Sequence, residues 1–81
     1  MKTIQRVQTG VRIEKRLLKV LKGLAEYLDI SVGDLLEGIL LHNFDNKLPF
    51  GDKTLDKIGQ LKAVYDLDLG SVDSHKLTER D

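Results

Sequence analysis

One stretch of this chain alternates with a period of two for long enough to read as a convincing strand, and no second such strand is legible. Over residues 5–13, Val7, Thr9, Val11 and Ile13 share one parity, while Arg6, Gln8, Gly10 and Arg12 share the other. That pattern predicts a strand with one apolar and one polar face. Gly10 at its centre points to close approach of another backbone or a ligand. A lone strand leaves a row of backbone donors and acceptors unpaired and an apolar face unsupported. The expected remedy is pairing with the same strand of a second copy, antiparallel about a two-fold axis. The sequence therefore predicts a homodimer.

Beyond residue 13 the period changes to that of a helix. Leu17, Leu18, Leu21, Leu24, Ala25 and Leu28 recur at steps of one, three and four, which predicts a helix over 14–28 with one apolar stripe. Asp29 and Ile30 form a short turn, Asp being one of the few residues that tolerate a left-handed conformation. Ser31 is a good N-cap, and Asp34 three residues on suits both a capping box and the helix dipole. The helix it opens runs to Phe44, with Val32, Leu35, Leu36, Ile39, Leu40 and Phe44 as its stripe. Leu41 widens that stripe beyond what one neighbouring helix covers, again favouring a second subunit. Val7, Val11, Ile13, Leu17, Leu21, Leu36, Ile39 and Leu40 make up the expected dimer core. Residues 45–51 connect to a third helix over 52–66, whose apolar face is Leu55, Ile58, Leu61, Val64 and Tyr65; Gly59 weakens its middle. From Asp68 onward the chain is polar and expected to be loose. The predicted organisation is a dimerisation domain over 1–46 and an extension over 47–81.

Charge sharpens the functional reading. Residues 1–22 hold seven basic side chains (Lys2, Arg6, Arg12, Lys15, Arg16, Lys19, Lys22) against Glu14 alone, net +6; residues 23–81 hold six basic and twelve acidic, net −6. Such segregation implies one face that attracts polyanions. There is no cysteine, which excludes disulfides and thiolate metal sites and suits a reducing cytoplasm. No apolar run follows the N-terminal basic residues as in a signal peptide, and none approaches the length of a bilayer span.

Strand, helix, short turn and Ser-capped helix follow one another in an order that resembles the ribbon-helix-helix family of Arc-like and MetJ-like repressors. The stretch 8–44, QTGVRIEKRLLKVLKGLAEYLDISVGDLLEGILLHNF, carries the resemblance without a gap over a little under half of the chain. The resemblance implies a mainly α fold with one N-terminal β-strand, an intertwined homodimer with an intersubunit two-stranded antiparallel ribbon, and here a C-terminal third helix in addition. It also implies double-stranded DNA as partner, with Gln8, Gly10 and Arg12 facing bases in the major groove. Gln suits adenine and Arg suits guanine, whereas Gly10 offers no side chain. The resemblance further assigns a DNA phosphate to the start of the second helix, at Ser31, Val32 and Gly33, where the dipole favours an anion. Lys2, Arg6, Lys15 and Arg16 are the expected further phosphate contacts. Glu14 and Asp34 lie near that path and would repel it.

No catalytic constellation is legible. His42 and His75 lack the spacing of a metal pair, the glycines form no phosphate-cradling loop, and Asp66 and Asp68 read as solvated carboxylates. The expectation is a non-enzymatic DNA-binding regulator, a repressor, without cofactor or metal. Its rival is a dimeric protein-interaction module, or an antitoxin using the third helix for a protein partner.

Overall fold

A computed structural model describes residues 1–80. Three helices, α1 (Lys15–Leu28), α2 (Val32–Phe44) and α3 (Asp52–Val64), are followed by a single 3₁₀ turn over Ser71–Asp73. Each helix lies where the leucine spacing indicated. The predicted strand does not form: residues 1–14 have no regular structure, and no strand occurs among the described residues. This overturns the ribbon-helix-helix fold and the intersubunit ribbon with it. The physical reason is the one that made the strand demanding at the outset. No partner strand forms among the described residues, so the backbone of residues 1–13 finds no ladder and makes no backbone–backbone hydrogen bond with the rest of the described chain. Thr9 and Gly10, at the centre of the alternation, add too little apolar burial to hold it. The stretch is an exposed arm on a helical body.

Two of the three helix starts are set by side chains, α3 beginning after Gly51 without one. At α1 the Glu14 carboxylate accepts from the Leu17 amide at 2.8 Å; at α2 the Ser31 hydroxyl accepts from the Asp34 amide at 3.0 Å. The helix ends share one device. Asp29, Asn46 and Asp66 all adopt left-handed backbone (φ 59°, 57° and 54°). At each, the following amide reaches back five residues: Ile30 to the Ala25 carbonyl (3.1 Å), Lys47 to His42 (2.8 Å), Leu67 to Lys62 (2.9 Å). Each left-handed residue itself bonds the carbonyl three residues before it. This is the Schellman stop, built here on Asp or Asn instead of the usual Gly.

Packing centres on α1. Leu24, Ala25 and Leu35 form the buried cluster, with Leu21, Leu28, Val32, Ile39, Phe50, Ile58 and Leu61 packed around it. Ile58 and Leu61 of α3 thus thicken the core, while Leu55 stays about half exposed. At Gly23 α1 lies close against α3: a Cβ there would lie 3.0 Å from Leu61 Cδ2. Val20 and Leu67 are the other buried apolar residues.

That is little burial for the chain. Its surface of 7363 Å² compares with about 4,900 Å² for a folded monomer of this mass. The arm and the outer face of α2 supply much of the excess: Val7, Val11, Leu36, Leu40, Leu41 and Phe44 are all exposed. Of the expected dimer-core residues, only Leu21 and Ile39 enter the core of the single chain. Ile13 and Leu17 remain exposed with the others.

Candidate nucleic-acid interface

The arm is not free of the body. Arg6 grips Glu37 of α2 with both prongs of its guanidinium, Nε to Oε2 at 2.8 Å and Nη2 to Oε1 at 2.9 Å. This fork-on-carboxylate geometry is the strong form of the pair. It holds the Glu37 carboxyl below its ordinary value and raises the Arg6 guanidinium. The contact seats Arg6 over a shallow recess at the start of α2, formed with Ser31, Gly33, Asp34 and Glu37. Two sets of predicted phosphate contacts, Arg6 and the α2 N-terminus, are therefore brought together. The Val32 and Gly33 amides have no acceptor within the helix, as at any helix start. An anion arriving there meets Arg6 and those amides, but also the carboxylates of Asp34 and Glu37.

The second half of the arm faces the C-terminal segment. Arg12 pairs with Glu79. Arg16 donates from Nε to Glu14 (3.3 Å) and from Nη1 to the Asp66 carbonyl (2.9 Å), and lies 3.0 Å from Asp68. Glu14 is held below the usual carboxylate range first by the Leu17 amide and then by Arg16, while Arg16 is raised by those carboxylates. Asp68, expected to be solvated, is thus an ion-pair partner although largely exposed.

The remaining predicted contacts stand apart. Gln8 and Gly10 are exposed, and Gln8 makes no side-chain hydrogen bond among the described residues. Lys2, Lys15 and Lys22 are exposed and in no salt bridge among the described residues. Lys19 lies over the Tyr65 ring, 5.8 Å from its centroid. The three predicted base-facing positions follow one another along the irregular arm without a ladder to fix their direction.

Glu37, Asp68 and Glu79 are the residues that sequence reading missed here. Their partners lie 31, 52 and 67 positions away, beyond the reach of local spacing rules. The excess of acid in the second part of the chain was the one available signal. His42 is exposed and bonds through Nδ1 to the Gly38 carbonyl at 2.7 Å. Among the described residues no group of three or more His, Asp or Glu side chains could hold a metal, and no helix is long and apolar enough to cross a membrane. No protein-family model, curated protein or solved structure matches this chain.

Proposed function

We propose that this chain binds double-stranded DNA as a homodimer and regulates transcription, as a repressor that occupies its site and excludes other proteins. The observation that carries the reading is the +6 charge of residues 1–22, half of it on residues 1–13, an exposed arm held to the rest of the chain by ion pairs at Arg6 and Arg12. An arm without regular structure, rich in Lys and Arg, suits phosphate contact and groove insertion, as in proteins that use basic N-terminal arms. Lys2, Lys15 and Lys22 supply charge without further rearrangement. Arg12 and Gln8 are the side chains suited to base edges, and Arg6 with the α2 start is suited to a phosphate. Residence in a reducing cytoplasm goes with this reading, supported by the absence of cysteine.

The homodimer rests on area. The excess of about 2,500 Å² over a folded monomer is what one chain gives up in the larger obligate homodimers, whose interfaces bury about 2,000–5,000 Å² in total. Analytical ultracentrifugation tests this part, and a monomer at micromolar concentration refutes it.

The test of DNA binding is fluorescence anisotropy with a random-sequence duplex across a salt series. Each neutralised phosphate contributes about 0.9 to the log–log slope, so four to seven engaged cations give about 3.5 to 6 per chain. Absence of binding at low salt refutes the reading. It would favour the rival protein-interaction module or antitoxin, for which the pairing of Arg6, Arg12 and Arg16 with the chain's own carboxylates is the supporting observation.

A further inference from the structure

The C-terminal segment was expected to be loose, and it is anchored. Leu67 is 7% exposed. It shares an apolar groove with Leu17 and Val20 of α1, Ile58 of α3 and Leu77 of the tail. Beyond it the chain turns back. The Gly70 amide donates to the Asp73 carboxylate at 2.8 Å, and the Lys76 amide to the Asp73 carbonyl at 3.0 Å. The turn returns residues 77–80 alongside residues 12–15, where the arm enters α1, with a groove between the two strips. Along this path the tail puts Asp68 on Arg16 and Glu79 on Arg12.

We infer that residues 67–80 form an autoinhibitory strap, whose carboxylates at Asp68 and Glu79 occupy Arg16 and Arg12 in place of nucleic-acid phosphates. The inference rests on the DNA-binding reading above. Three features make the strap a competitor. The carboxylates are anionic oxygens on guanidinium donors, which is the chemistry a phosphate would use. Their placement is enforced by a buried leucine and a closed turn, so it is not left to chance encounter. Both pairs are exposed, and exposed pairs are weak and screened by salt. A polyanion that engages several cations at once can therefore displace the strap, whereas one making few contacts gains too little to do so. The strap acts as a threshold on affinity and leaves Lys2, Lys15 and Lys22 available for first encounter.

The experiment compares the full chain with its Asp68→Asn/Glu79→Gln variant, using a labelled random-sequence duplex at about 50 mM and about 200 mM salt. A second variant, Asp45→Asn/Asp56→Asn, carries the same change of net charge at exposed positions away from the arm. The strap predicts about three- to tenfold tighter binding for Asp68→Asn/Glu79→Gln at the lower salt, shrinking at the higher, and a much smaller gain for the charge control. Equal affinity of parent and Asp68→Asn/Glu79→Gln overturns the strap and leaves DNA binding standing. Equal gains in the two variants also overturn it, because bulk charge then suffices. No binding by any of the proteins removes the functional reading and the strap together. A nitroxide on Thr78→Cys, the chain having no other cysteine, gives a readout that needs no DNA. It should broaden the amides of residues 12–15, and release them when heparin is added; unbroadened amides in the free protein overturn the strap.

Discussion

Gly23 gives the sharpest test of how the helices are assembled. In the open interior of a helix, replacing Gly by Ala gains about 1 kcal/mol, because the unfolded chain loses freedom and nothing is crowded. Gly59 in α3 meets that condition, with no atom within 4 Å of a Cβ built there. At Gly23 the same methyl would lie 3.0 Å from Leu61 Cδ2, and 3.7 Å from both Leu61 Cδ1 and Tyr65 Cε2. Optimal carbon–carbon contact is about 3.5–4.0 Å, so Leu61 must yield by at least about half an ångström. Overpacking of this kind costs about 1–3 kcal/mol. Set against the helix gain, Gly23→Ala should fall between about neutral and 2 kcal/mol destabilising. It should lie at least about 1 kcal/mol below Gly59→Ala. Urea unfolding followed by far-ultraviolet circular dichroism at one protein concentration measures both, with unchanged m-values as the check on comparability. If Gly23→Ala stabilises as much as Gly59→Ala, α3 is not seated on α1 at this point and the packing described above is wrong.

Three further outcomes follow from the same structure. Leu24→Ala, at a position 3% exposed, should cost about 2–5 kcal/mol out of a total stability of about 4–12 kcal/mol for this length; a loss below 1 kcal/mol in urea unfolding would place the core elsewhere. Asp29→Gly and Asp66→Gly remove the left-handed strain at two helix stops and should each raise stability by about 0.5–1 kcal/mol, read as a rise in Tm of a few degrees; no rise at either position would refute the Schellman assignment. Glu14 and Glu37 have folded-state carboxyls below the ordinary value of 4.5. Their contribution is thus present above that value and is lost as pH falls through the lower folded ones. Urea midpoints should decline on acidification below about pH 5, and Glu37→Gln should decline less steeply than the parent; parallel profiles would deny the Arg6–Glu37 pair its role.

The helical body was legible because its signals are local. The leucine steps of α1, the Ser31 cap and the tolerance of Asp29 for left-handed backbone each act within a turn or two of the residue concerned, so composition and spacing suffice to read them. The arm was misread because alternation is a statement about faces and a strand also needs a ladder. Val7, Val11 and Ile13 have the faces, and no segment among the described residues supplies the ladder. The candidate interface was half legible. The basic residues are visible in the sequence, but the carboxylates that hold Arg6, Arg12 and Arg16 come from α2 and the tail. Nothing in local spacing encodes a pair 67 positions apart, such as Arg12 and Glu79. Leu67 was overlooked for a related reason: Tyr65, Leu67 and Leu69 alternate with Asp66, Asp68 and Gly70 over too few residues to define a buried face, and only the groove around Leu67 reveals that it is buried.

The three helix stops have a consequence for the order of events when the chain folds. Each is closed by hydrogen bonds spanning three and five residues, so helix length is decided before any distant segment is found. Single helices relax in about 0.1–1 μs, and links as short as 29–31 and 45–51 close faster still. A temperature-jump trace should accordingly show a rapid helical phase that Asp29→Gly and Asp66→Gly strengthen. The slower phase belongs to the docking of Leu67 and the meeting of arm and tail, which must pay the entropy of the longest loop in the molecule.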